Sequence, residues 1–316
     1  MLGLLLNSVP GFGFELTSPV ACDIGRDCFV QSYVAHPFGS KPRDYTCGTR
    51  TYGNHNGTDF RLRDLRMMRA GVNVQAAAPG KVLRTRNDVP DGEFLAGSRE
   101  AVAGRECGNG LIIAHEDGWE TQYCHLAQGS VVVEPGQQVK RGDVLGRVGL
   151  SGQTEFPHLH ITVRRGGTVV DPFAIGARPG TCSTGTSLWD ASLQGALAFH
   201  QREVINRGFA ASSVSNRAIE EGIAKPAANP DALVAYVRAS GLRQNDEAVL
   251  VLLSPAGNEI ARYAPAPLKS DKAQEVMFAG IKRPVLGWTK GRYESVLTVR
   301  NASRTELEDK FSFSLD

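Results

Sequence analysis

Two histidines stand two residues apart in Phe156-Pro157-His158-Leu159-His160-Ile161-Thr162-Val163. β-Branched residues dominate the second half of this stretch and Pro157 holds Phe156 extended, so a strand is predicted. Side chains alternate along a strand, which puts His158 and His160 on one face and Leu159 and Ile161 on the other. Two imidazoles about 7 Å apart on one strand face can share a metal ion or a reaction. His-x-His also occurs on solvated strands, so the pair alone decides nothing. Upstream, Tyr52-Gly53-Asn54-His55-Asn56-Gly57-Thr58-Asp59-Phe60 places a His and an Asp around a Gly-containing turn, with Asp59 entering a strand. Thr121-Gln122-Tyr123-Cys124-His125-Leu126 adds another imidazole on a strand-like segment. Together these stretches supply His, Asp and His as ligands, with two imidazoles to spare. A tetrahedral Zn²⁺ with three N/O protein ligands and one open position is the standard catalytic arrangement.

Taken in chain order, His55-x-x-x-Asp59, Tyr123-x-His125 and Pro157-His158-Leu159-His160 resemble the lysostaphin-type, LytM-like zinc metallopeptidases of bacterial cell walls. The resemblance covers residues 50–175. It takes in Ala78-Pro79-Gly80-Lys81-Val82, Val139-Lys140-Arg141-Gly142-Asp143-Val144-Leu145-Gly146 and Gly149-Leu150-Ser151-Gly152. It implies that His55, Asp59 and His160 hold one Zn²⁺ per chain. It also implies that His125 and His158 are the free catalytic imidazoles. No position of the motif is missing, so the inactive, regulator-like members are the poorer match.

The elements that must position these residues are short. The chain has 316 residues, enough for two cores, and a formal charge of +2 with no long basic run, which argues against nucleic acid as the main partner. No apolar segment approaches the ~20 residues that span a bilayer. Residues 1–13 read as the remnant of a signal peptide, with Gly11 and Gly13 at small-residue cleavage positions and Phe14 as a candidate mature start. The six cysteines, Cys22, Cys28, Cys47, Cys107, Cys124 and Cys182, are even in number and lack Cys-x-x-Cys spacing. That pattern suits disulfides in an oxidising compartment and disfavours a structural zinc knuckle. Six cysteines allow fifteen pairings. The expected set is Cys22 with Cys28, Cys107 with Cys124, and Cys47 with Cys182.

The expected fold class is all-β with little helix: a mainly antiparallel peptidase sheet and a C-terminal immunoglobulin-like β-sandwich. Residues 14–50 read as a disulfide-stapled N-terminal extension, in which His36 has no partner spacing and is read as structural or exposed. Residues 51–175 form the zinc metallopeptidase domain. There Leu111–His115, Glu116-Asp117-Gly118 and Trp119–His125 read as a hairpin with Asp-Gly at its turn. Further strands are expected at Val72–Ala78, Lys81–Thr85, Val131–Val133, Val144–Val148 and Ile161–Arg164. The hairpin removes two decoys. His115-Glu116 opens like a helical His-Glu-x-x-His motif, but Trp119 stands where the second His belongs. Cys124 and His125, being adjacent on a strand, face opposite ways and cannot pair as nucleophile and base. By the same alternation Tyr123 should share the face of His125, where it either lines the site or packs on the sheet. Arg86–Arg105 is an insertion expected to wall one side of a cleft.

Residues 176–231 are expected to be a linker with a helical segment. Leu188–Ile219 carries Leu193, Leu197 and Val204 on one side of that helix, and His200 stands on it without a second ligand. A chain ending near Gly185 is therefore expected to fold alone. Residues 232–316 alternate as short strands, Leu233–Ala239, Glu247–Leu253, Glu259–Tyr263, Gln274–Ala279, Tyr293–Val299 and Lys310–Leu315. They carry no catalytic motif and read as an accessory immunoglobulin-like domain.

The function this implies is a secreted, periplasmic or extracellular zinc metalloendopeptidase, a hydrolase that cuts peptide cross-links of peptidoglycan. By resemblance, its substrate is the meso-diaminopimelate–D-alanine bridge or an oligoglycine bridge. No glutamate base accompanies the ligands, so proton transfer falls to His125 or His158. The rival readings are a non-catalytic peptidoglycan-binding protein or amidase activator, which would lack a ligand, and a structural lipoyl-like module built on Val139–Gly149. The latter gives no reason for five site residues in order.

Overall fold

The structure, a computed structural model, describes residues 13–38, 41–97, 99–178, 180–181 and 185–315. The expected signal segment lies outside the described residues except for Gly13, and so does Cys182. Cys22–Cys28 and Cys107–Cys124 are disulfides as expected. Cys47 is also disulfide-bonded; its expected partner, Cys182, is outside the described residues.

An eight-stranded antiparallel sheet forms the first half of the molecule. Its strands are β1 (Cys28–Ser32), β2 (Thr58–Leu62), β3 (Gly80–Arg86), β4 (Asn109–Ala114), β5 (Trp119–Leu126), β6 (Gln138–Val139), β7 (His158–Arg165) and β8 (Thr168–Val170). The spatial order is β1-β2-β7-β5-β4-β3-β6, with β8 paired to β7. The β4–β5 hairpin turns through Asp117 and Gly118, both at positive φ, as Asp-Gly chemistry requires. A small ribbon pairs Asn73–Gln75 with Val144–Arg147. Val131–Val133 is not a strand. Val132 makes a single backbone bond to Leu145 (3.0 Å) and joins no ladder.

One face of the sheet packs a core that includes Phe60, Leu62, Ile113, Tyr123, Leu159 and Ile161. Residues outside the expected peptidase range join it at both ends. Leu16 and Val20 enter from the N-terminal extension, and Leu188, Trp189 and Leu197 enter from the expected linker. Trp189 meets Phe60 at 5.7 Å and Phe173 at 5.6 Å between ring centroids. A cut near Gly185 would therefore slice into the core.

Helix takes up only a small part of Leu188–Ile219, where helical spacing in parts is expected, and none of it holds Leu197 or Val204. A 3₁₀ turn, Ala191–Leu193, is followed by the strand β9 (Glu203–Ala210), and only Asn216–Glu221 is helical. His200 accordingly stands outside any helix, and its carbonyl accepts a bond from Arg50 Nη1 at 2.6 Å. β9 pairs with β10 (Ala232–Leu242) through a bulge between Val204 and Asn206, so its apolar period matches neither helix nor strand.

The remaining strands are β11 (Glu247–Leu253), β12 (Glu259–Tyr263), β13 (Lys272–Lys282), β14 (Gly291–Asn301) and β15 (Arg304–Leu315). They complete two sheets, β9-β10-β13 and β12-β11-β14-β15. The sheets face each other across Val237, Ala239, Met277, Leu250, Leu297 and Val299. This is a seven-stranded sandwich, with β12 on the sheet of β11 rather than beside β13.

The sandwich is bolted to the eight-stranded sheet by charge. Arg61 on β2 and Arg238 on β10, both buried, bind the same Glu220 carboxylate oxygen. Arg238 Nη2 and Asn206 Nδ2 each donate to the Arg63 carbonyl at 2.9 Å. Because Trp189 belongs to the first core, Trp189→Ala in the full chain should cost about 3–5 kcal/mol. Urea denaturation measures this; an unchanged midpoint would place Trp189 outside that core.

Candidate metal centre

β2 and β7 run antiparallel with Asp59 directly opposite His160 and Arg61 opposite His158. Asp59 and His160 thus meet across one rung of the ladder, and His55 arrives from the turn four residues before Asp59. His55 Nε2 lies 3.1 Å from Asp59 Oδ1 and 3.2 Å from His160 Nδ1, and His160 Nδ1 lies 2.8 Å from Asp59 Oδ1. All three side chains are buried.

The far side of each ring decides what faces this point. His55 Nδ1–H donates to the Tyr33 carbonyl at 2.7 Å, which leaves Nε2 as a lone pair. His160 Nε2 meets Asn56 Oδ1 at 3.1 Å and Thr162 Oγ1 at 3.0 Å, so its proton is used there and Nδ1 carries the lone pair. In these tautomers two nitrogen lone pairs and a carboxylate oxygen converge on one point, an arrangement that suits a bound cation. Ligands about 2.0–2.2 Å from a tetrahedral Zn²⁺ stand roughly 3.3–3.5 Å apart, close to the three separations here. His55, Asp59 and His160 are also a group whose ligand atoms all fall within 4.8 Å of one another.

Gly57 makes the approach feasible. A Cβ there would lie 2.5 Å from both His160 Nε2 and the Ile161 carbonyl.

His125 and His158 flank the cluster, their ring centroids 4.6 Å apart. His158 Nδ1 faces the Phe156 carbonyl at 3.0 Å and Thr154 Oγ1 at 3.1 Å, and its Nε2 lies 3.5 Å from Asp59 Oδ1. His125 Nδ1 donates to the Ser151 carbonyl at 2.9 Å, leaving Nε2 as its acceptor. His125 itself has φ +64°, in the left-handed region. The ladder between β4 and β5 slips beside it, between Asn109 and Leu111, and the His125 amide bonds instead to the Cys107 carbonyl at 2.8 Å. Strand alternation therefore fails here. Tyr123 does not share the site: it is fully buried in the core and its hydroxyl accepts from the Ala77 amide at 2.9 Å. Cys124 is closed in its disulfide with Cys107.

The charges follow from this crowding. Burial would push Asp59 up, but His158 and His55 beside it, and its contacts with His158 and His160, hold it well below the usual carboxylate range. Burial, then His158 and His160, push His125 well below the ordinary imidazole value, so it is neutral at neutral pH. Burial would lower His55, and Asp59 outweighs it.

Several contributors escaped the sequence reading. Tyr52 packs on His55 at 4.4 Å between centroids, and Asn56, Thr154 and Thr162 orient imidazoles. His36, read as lacking a partner, meets Asp171 Oδ2 at 2.7 Å away from the cluster. Within the Arg86–Arg105 insertion, Phe94 and Arg99 line the cleft that holds Asp59 and His158.

If the outer bonds fix the tautomer of His160, Asn56→Ala with Thr162→Val should weaken metal binding roughly 10–100-fold. His160→Ala should abolish it. Chelator competition measures both, and full metal occupancy in His160→Ala would overturn the ligand set.

Residues 53–172 match Peptidase family M23. Over 104 residues the chain is 38% identical to the cell division protein DipM of Caulobacter vibrioides, covering 32% of this chain and 15% of DipM. Over 146 residues it is 30% identical to the peptidoglycan DD-endopeptidase ShyA of Vibrio cholerae, covering 44% of this chain and 28% of ShyA. The chain thus spans less than a third of either relative. Among solved structures, a zinc-containing peptidase from Vibrio cholerae is 27% identical, with a TM-score of 0.29 over 46% of this chain and 39% of that one. The match to Peptidase family M23 thus spans the stretch that carries His55, Asp59, His125, His158 and His160.

Proposed function

We propose that the chain is an exported zinc metalloendopeptidase that hydrolyses peptide cross-links of peptidoglycan. The observation that carries this reading is the convergence of three unprotonated ligand atoms beside two further imidazoles whose Nδ1 positions are already bonded. The M23 match and the likeness to a relative named a peptidoglycan DD-endopeptidase support the substrate class. The disulfides Cys22–Cys28 and Cys107–Cys124 support an oxidising compartment. No helix among the described residues is long and apolar enough to cross a membrane.

Zn²⁺ held by His55, Asp59 and His160 would supply Lewis acidity toward the scissile carbonyl and lower the pKa of an attacking water. The chain's own residues handle the protons. His125, kept neutral by burial, accepts the water's proton at Nε2 because Nδ1 is committed to Ser151. His158, with Nδ1–H given to the Phe156 carbonyl, can donate to the developing oxyanion from Nε2 in its imidazolium form, beside the Asp59 carboxylate. The left-handed backbone at His125 aims its ring into the cleft, where a regular strand would have turned it away.

Neither imidazole belongs to the ligand set, so His125→Ala and His158→Ala should each keep zinc and fold. Turnover on a cross-linked muropeptide should fall roughly 10²–10⁴-fold. Loss of zinc in either variant would make that residue a ligand, and near-normal turnover would make it a bystander. Digestion of purified sacculi, with the products identified by mass spectrometry, tests the activity. A zinc-loaded protein that releases no cross-link cleavage product overturns the reading.

A further inference from the structure

The metal cluster lies where two cavities meet. One, of about 360 Å³, contains His55, His125 and His160 and is walled by the peptidase domain alone. The other, of about 430 Å³, has Asp59 and His158 on one side and Gly241, Ala273 and Gln274 of the sandwich on the other. Tyr52 and Gln153 line both, so the two spaces pass on either side of the cluster. A third cavity, of about 690 Å³, begins where the second ends, since Glu155, Phe156 and Gln274 line both. It continues between the two domains past Leu95 and Arg217.

We propose that this interdomain groove is a substrate subsite that takes one arm of a branched, cross-linked stem peptide, and that the sandwich is a wall of the cleft. The proposal rests on the peptidoglycan reading above. A cross-link joins the acyl end of one peptide to a side-chain amine of another, so on the amine side the substrate branches into a free carboxylate and a second stem. Such a substrate needs a channel on each side of the scissile amide and room beyond one of them. Both interdomain cavities fall within the roughly 300–1,000 Å³ of ordinary ligand sites.

The lining suits a peptide carrying charges of both signs. Arg217 is exposed on one bank and can meet a carboxylate, while Glu155 and Glu275 can meet ammonium groups. Leu95, 53% exposed, and Phe156 offer apolar surface between them. Nearer the cluster, Gln31 Oε1 is buried, has no hydrogen-bond partner among the described residues, and belongs to a residue lining the second cavity. An amide N–H of the ligand would satisfy it. The groove is a fixed feature because the Arg61–Glu220–Arg238 contact clamps its two banks.

Gln274→Trp places bulk at the joint between the second and third cavities, and Arg217→Glu reverses the charge farther out. The full-length, zinc-loaded protein is tested for binding and cleavage of a soluble cross-linked muropeptide dimer and of the uncross-linked monomer. Each variant should weaken dimer binding by about tenfold or more, and lose more on the dimer than on the monomer. Zinc content should remain that of the wild type. Equal losses on dimer and monomer, or dimer binding unchanged in both variants, overturn the groove. Wild-type protein that binds the dimer in a Gln274-dependent way but cleaves nothing would overturn the endopeptidase reading and leave the groove standing. Wild-type protein that binds neither ligand overturns both.

Discussion

A carboxylate buried to 1% exposure is the constraint around which the first domain is arranged. Taking such a charge out of water costs several kcal/mol unless opposite charge and hydrogen bonds compensate. Asp59 is the second residue of β2, between β1 and β7, and is almost wholly removed from solvent. Its neighbours are imidazoles on three sides, His55, His158 and His160, and two of these present lone pairs toward it rather than protons. An imidazole lone pair cannot stabilise a carboxylate; a cation bound by His55, His160 and Asp59 together can. The outer bonds to Tyr33, Asn56 and Thr162 are therefore as much a part of the metal centre as the ligands. They stop the rings from turning inward to satisfy Asp59 with a proton.

That arrangement needs backbones closer together, and less regular, than a plain sheet provides. Gly57 lets the His55 turn close on His160 without a Cβ in the way. On the opposite flank, the ladder slips beside Asn109 and the backbone at His125 goes left-handed. The Cys107–Cys124 disulfide sits next to this irregularity, and the Cys107 carbonyl receives the His125 amide. A strained residue persists only where its surroundings over-determine it. Here the crosslink, the amide bond and the bond from Nδ1 to Ser151 all act on one residue.

The candidate cluster is largely legible in the sequence because its residues obey local rules. His158 and His160 follow strand alternation, and the spacing of His55 and Asp59 bridges a single turn. What escaped the reading depended on long-range pairing. The five residues of β1 are all buried, so Cys28–Ser32 shows no alternation to read. β9 hides its period behind a bulge and takes its partner from β10, far along the chain. Tyr123 packs in the core, one of its two expected roles, and it is His125, at positive φ, that leaves the face alternation assigns to both. The strands of the sandwich were readable because they alternate cleanly, Glu247–Leu253 above all, whose burial alternates along its length. The contacts joining that sandwich to the catalytic sheet involve isolated charged residues with no motif, and they appear only when the chain is folded.

Those charged contacts tie the two halves together at a consequential place. Arg61 follows Asp59 by two residues on β2, so it shares the face of the ligand, and it stands opposite His158 in the ladder. Its guanidinium lies 4.2 Å from the centroid of Phe156, two residues before His158. Burial, then the charge of Arg238, pull its pKa down, and Glu220 opposes both. Without the Glu220 carboxylate, two buried guanidiniums would face each other beside the strand that carries His158 and His160. Removing one partner of a buried ion pair is far costlier than never having built the pair. The first sheet thus carries at position 61 a buried charge whose compensating carboxylate, Glu220, comes from the C-terminal segment. Docking and the alignment of β2 with β7 are in consequence parts of one folded unit, and the wall that the sandwich lends to the cleft is held at the same point that holds Asp59 and His158 in register.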